Sequence, residues 1–182
     1  MIFAHDTEAA LGTVVDLINS AATDTDGLLT IADLDHFVAE QRFSGSRTHS
    51  DAELRSVRQL RAQLREIWVA SEDEAVEQVN FILRNARALP QLVKHDGLDY
   101  HIHATTQQAP LSERMAVEAA MALVDVIRSG ERERLRSCAA PDCTAVLLDL
   151  SKNRSKRYCD TGNCANREHV RAYRQRQSAQ KE

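Results

Sequence analysis

Four cysteines, Cys138, Cys143, Cys159 and Cys164, fall within 27 residues of a 182-residue chain that has no other cysteine. Thiols this dense in a reducing compartment point to a metal site rather than a pair of disulfides, and two disulfides or four unligated core thiols are the alternatives. Their spacing is C-x4-C, fifteen residues, then C-x4-C. That resembles the two halves of a zinc site, with each pair two residues wider than the commonest spacing. Pro141-Asp142 and Thr161-Gly162 each supply a turn that can bring the second thiol of a pair back beside the first. Four thiolates fill a tetrahedral sphere and leave no position for water, so one structural zinc ion is expected and a catalytic one is not.

Such a site needs elements to hold it. Val146 and Leu148 between polar neighbours read as a strand. Lys156–Tyr158 is expected to return antiparallel to it after the polar turn Ser151–Ser155. Residues 166–177 are helix-compatible, so the last ligand would enter from the first turn of a helix. A knuckle, a hairpin and a helix in that order form a treble-clef-like finger. A module of about 45 residues cannot bury enough surface alone, and zinc would contribute on the order of 10 kcal/mol to its folding.

The remainder of the chain reads as mainly helical, giving a mainly α (α+β) protein with a small β-hairpin. Residues 6–20 carry apolar side chains at helical spacing. Thr30 with Asp33, Ser50 with Glu53 and Ser71 with Glu74 mark three further helix starts, the last two opening an antiparallel helical hairpin. Leu92-Val93 and Leu98, Tyr100 and Ile102 alternate with polar residues around Asp96-Gly97, which predicts two short strands. A long helix from Ser112 ends at Gly130.

Cutting the chain there separates 11 Lys/Arg against 20 Asp/Glu in residues 1–130 from 12 against 7 in residues 131–182. An acidic domain of net charge −9 thus precedes a basic module of +5. No apolar run suggests a signal peptide or membrane span, so a cytoplasmic protein without membrane contact is expected.

The segments Cys138-Ala-Ala-Pro-Asp-Cys143, Leu148-Asp149, Asn153–Cys159 and Cys164-Ala165-Asn166-Arg167 resemble the CGNR zinc-finger family. The acidic part resembles that family's usual partner, the ABATE domain, with Asp16–Ser20 in place of an aspartate-leucine-valine-asparagine-threonine segment. The name-giving glycine is Ala165 here, a mild change if its φ is negative. The resemblance implies a bacterial transcription regulator whose finger contacts DNA.

The residues support that implication in part. Arg167, Arg171 and Arg174 lie at about 300°, 340° and 280° from Cys164 around a helix, forming one stripe beside the metal. Arginine suits bidentate contact with phosphate or guanine. Arg154, Lys156 and Arg157 add charge, and Asn153 and Asn166 are candidates for base edges or for holding the turn and helix start. The stripe could instead dock on the acidic domain or a protein partner, or be a solvated face. By family analogy and helix face, Asn19, Arg61 and Arg65 are weaker candidates for an effector pocket. The helical domain would otherwise supply dimer contacts. His101 and His103 share one strand face and could bind metal, although a half-exposed sheet surface is the simpler reading. No phosphate loop, nucleophile elbow or catalytic carboxylate pair is present, so an enzyme is not expected.

Overall fold

A computed structural model describes residues 2–22, 26–94 and 100–179. Asp96-Gly97, with His95, Leu98 and Asp99, lies outside the described residues. Helix α1 (His5–Asn19) runs into α2 (Ile31–Glu40), α3 (Asp51–Val69) and α4 (Glu72–Asn85). The hydroxyl of Thr30 and that of Ser71 each accept the third backbone N–H of the helix that follows, while Asp33 and Glu74 return the bond. Ser50 caps α3 in the same manner from one side. Strand β1 (Gln91–Val93) pairs antiparallel with β2 (His101–His103), Leu92 opposite Ile102.

Helix α5 (Leu111–Arg128) is central and packs against α1, α3 and α4 through Met115, Ala119, Leu123 and Val126. It ends as expected at Gly130, whose φ of 65° is costly for a residue with a Cβ. A second enforced glycine is Gly45, with φ of 97°, because a Cβ there would strike the guanidinium of buried Arg114. That guanidinium donates to the carbonyls of Ser44, Ser46 and Ala109, tying the loop before α3 to α5.

Beyond Gly130 a 3-10 turn leads into β3 (Leu135–Ser137), which pairs antiparallel with β4 (Val146–Leu148). The expected return strand at Lys156–Tyr158 is not formed. The partner of β4 instead precedes the first cysteine, because Asp149 folds residues 149–156 into a compact polar turn. Its fully buried carboxylate accepts the N–H and hydroxyl of Ser151 at 2.9 and 2.5 Å and the Lys156 N–H at 3.0 Å. Helix α6 (Cys164–Ala179) is the last of the described elements.

Consecutive side chains of a strand point to opposite faces, and β4 uses both. Val146 and Leu148 join Leu135 in the helical core, while Leu147 packs among the cysteines with Ala140 and Ala145. The basic module is therefore seated on the helices. Asn19, at the end of α1 and buried, receives the Val146 N–H at 2.8 Å and donates to the Val146 carbonyl at 2.9 Å. Trp68 Nε1 donates to the Arg136 carbonyl and Arg65 to that of Thr144.

Arg61 forms a two-bond pair with Asp26 at 2.6 and 2.8 Å and reaches Ser20 at 3.0 Å. Hydrogen bonding from Arg61 draws the Asp26 pKa down to about 2. A depressed folded pKa means that this pair stabilises fully above the ordinary carboxyl value and less as pH falls through about 2. Asp26→Asn should cost about 2 kcal/mol at neutral pH. In urea unfolding at stepped pH, the gap between the two proteins should narrow from about pH 4 downward.

Candidate metal centre and basic helix

The first cysteine pair sits in the connection between β3 and β4. Cys138 N–H bonds the Ala145 carbonyl at 2.8 Å, and Cys143 N–H bonds Ala140 at 3.1 Å, closing the turn that Pro141 and Asp142 initiate. Ala139 N–H bonds the Arg157 carbonyl at 2.8 Å, drawing the second half over the first. Cys159 precedes a short loop in which Gly162 has little room for a side chain, since a Cβ would lie 3.2 Å from Cys164 Sγ. Asn163, at φ 51°, turns the chain into α6, and Cys164 is the helix's first residue.

The four sulfurs lie within 4.8 Å of one another, with Cys143–Cys159 and Cys159–Cys164 both at 3.7 Å. A disulfide requires about 2.05 Å, whereas tetrahedral thiolates with metal–sulfur bonds of about 2.3 Å stand about 3.8 Å apart. The donor set therefore fits one tetrahedral soft-ligand ion. Its protonation behaviour agrees. Burial drives Cys164 up to about 12, reinforced by the neighbouring thiols. At Cys159 burial is outweighed by the Gly162 N–H, the neighbouring thiols and the Thr161 N–H, bringing it to about 7. Four thiols this close cannot all ionise without a cation among them.

Arg167 lies one turn into α6 and donates to Cys164 Sγ at 3.3 Å and to Asp142 at 3.2 Å. It thereby bridges the two cysteine pairs. Ala165, in the helix, is not a positive-φ residue, so a missing glycine costs nothing there.

Two family models match the chain: "Putative stress-induced transcription regulator", the ABATE family, over residues 12–130, and the CGNR zinc finger over residues 134–177. The protein belongs to the ABATE family and carries a CGNR finger. No curated protein shows a significant match to the chain. In this ABATE protein the four cysteines are the ligand set of one structural zinc ion. Neither family is an enzyme family. Among the described residues, no helix is long and apolar enough to cross a membrane.

The other expected site residues divide into two groups. Asn166, Arg167, Arg171 and Arg174 share one open face of α6 with Asn163, Val170 and Gln175. Arg171 pairs with Glu168 at 2.8 Å and approaches Asp142 at 3.9 Å. Arg157 is exposed with its guanidinium 5.9 Å from the Tyr158 ring, and Asn153 is exposed on the turn. Arg154 by contrast faces Glu131 and Glu133, and Lys156 faces Asp160 at 2.7 Å. All of these acidic partners belong to the basic module itself.

Asn19, Arg61 and Arg65, expected around an effector pocket, stand instead along the seam and its flank, bonded to Val146, Asp26 with Ser20, and Thr144 respectively. A pocket between α1, α3 and α5, to which none of these three residues contributes, holds about 10 Å³, room for no more than a water molecule. Asn163 and Asp149 escaped the sequence reading as site-building residues. A polar residue just before a helix start is a usable signal for the first; the second stands in the Leu148-Asp149 segment of the family resemblance, but its burial has no local signal, since an Asp after a strand is ordinarily solvated.

Proposed function

We propose that this zinc-binding, regulator-like protein binds DNA through the exposed face of α6, with residues 1–130 as regulatory input and residues 131–182 as the reader. The observation that carries it is the open face of α6 on which Arg167, Arg171 and Arg174 stand beside Asn163 and Asn166. Its helix is anchored at one end by a zinc ligand and exposed along most of its length.

In this reading Arg171, Arg174 and Arg157 neutralise phosphates. Asn166 approaches base edges, and Arg167 holds the helix at the angle the cysteines set. Arg154, Lys156 and Asn153 shape the neighbouring turn and add to the positive field. The seating of the module on the helices supports this assignment, because the docking bonds come from β3, β4 and their connection and leave the arginine stripe outward.

Binding by phosphate neutralisation makes affinity fall linearly with the logarithm of salt concentration, by about 0.9 per phosphate contact. Arg171→Ala with Arg174→Ala should weaken binding to any duplex about tenfold or more and flatten the salt slope by about 2, with zinc content unchanged. A mobility-shift titration at several salt concentrations measures both, and an unchanged slope overturns the proposal. A protein-interaction module is the second reading. Val170 and Tyr173, half-exposed on the same helix, favour it, and it predicts the same affinity for DNA in the double variant as in the parent.

A further inference from the structure

Outside the cysteine cluster, the hairpin of β1 and β2 carries two imidazoles, one of which faces α5. His101 and His103 are two residues apart on β2 and so share a face, opposite Val93 and Gln91 of β1. Their Nε2 atoms are 3.0 Å apart, with the rings edge-on at 65°. The other nitrogen of His103, Nδ1, faces Oε1 of Glu118 on α5 at 3.7 Å. The strand carrying them is fixed by its three-residue register and by the Leu89 N–H, which bonds the carbonyl of Ala104 at 2.9 Å just beyond β2.

We propose that His101 and His103 form a second metal site, selective for a late first-row divalent cation of the nickel or copper type, with Glu118 orienting His103. Three features of the geometry carry it. The two Nε2 atoms stand 3.0 Å apart in a hydrogen bond, and loss of the shared proton leaves two neutral imidazole donors close enough to reach one ion. With metal–nitrogen bonds of about 2.0 to 2.1 Å, donors 3.0 Å apart subtend about 91 to 97° at the ion. That is the angle between neighbouring ligands in square-planar or octahedral coordination, and it is narrower than the tetrahedral angle that structural zinc adopts. A carboxylate beside the remaining ring nitrogen, here 3.7 Å away and able to close to a hydrogen bond by a small side-chain turn, is the usual outer partner of a ligating histidine, where it fixes the tautomer and makes the ring a better donor.

The site is chemically opposite to the cysteine cluster. Among the described residues the donors are two imidazoles, which bind an ion less tightly than the four thiolates that enclose theirs. It also joins the hairpin to α5, which runs from there to the start of the basic module at Gly130. The inference goes beyond the DNA-binding reading and does not depend on it.

Calorimetric titration of the full zinc-loaded chain with Ni2+ tests the site. The expected result is one Ni2+ bound per chain with zinc retained and with no intense sulfur-to-nickel absorption. His101→Gln with His103→Gln should weaken that uptake by about tenfold or more, and Glu118→Gln by about tenfold. His101→Gln alone, which leaves His103 and its Glu118 contact in place, should show the loss without disturbing the hairpin, as checked by circular dichroism. Absence of Ni2+ uptake, uptake matched by zinc release, or equal affinity in the double variant each overturns the proposal.

Discussion

Cys164→Ala should lower the zinc content of the purified chain from one equivalent to none and unfold residues 134–177. Three thiolates remain, but the lost one is the ligand that starts α6, and its sulfur stands 3.7 Å from Cys159 and 3.3 Å from the Arg167 guanidinium. A structural zinc site is worth on the order of 10 kcal/mol in a module that cannot stabilise itself by burial. The core around the cysteines is small: Ala140, Ala145 and Leu147 are its buried apolar members besides the thiols. Elemental analysis with hydrogen exchange reads the outcome. A variant that retained a full zinc equivalent and slow exchange in α6 would contradict the assignment of Cys164. Chelation of the parent chain should reproduce the same exchange pattern.

Asn19→Ala should destabilise the whole protein by about 2 to 5 kcal/mol, a large effect for one polar side chain. Its amide satisfies both the N–H and the carbonyl of Val146 at a position where neither can reach water. Removal leaves two buried backbone groups unpaired, each costing about 1 to 3 kcal/mol. Asn19→Asp should do no better, since it lacks the N–H that Val146 O requires and buries a charge. Urea unfolding followed by the single tryptophan is a direct readout, because Trp68 bonds the same module at Arg136. A midpoint unchanged by Asn19→Ala would mean that the seam is not what holds the two parts together.

Much of this architecture can be read from residue order. Thr30, Ser50 and Ser71 mark helix starts because a hydroxyl followed three residues later by a carboxylate has few other uses before an apolar periodic run. Gly130 marks the end of α5 because only glycine takes its backbone angle cheaply. The zinc ligands are legible because they are the only four cysteines and stand in two equal pairs.

The pairing of β4 is not legible in the same way. Lys156–Tyr158 has the length and position of a return strand, whereas Leu135–Ser137 sits next to the helical part and offers three residues with weak alternation. What decides between them is a carboxylate, Asp149, that consumes the backbone of the intervening turn, a long-range choice that no local pattern reveals. Asn19, Arg61 and Arg65 show a related ambiguity. Polar residues on a helix face suggest a ligand, and the same residues serve equally to receive a neighbouring strand.

Because alternate residues of β4 belong to two different cores, the finger has no hinge of its own. A rotation of the strand large enough to re-aim α6 would pull Val146 and Leu148 from between the helices or strip Leu147 from the thiols. The helical bundle and the metal centre consequently move as one rigid lever. In the DNA-binding reading proposed above, re-aiming the arginine face requires tilting that lever as a whole rather than freeing a tethered reading head.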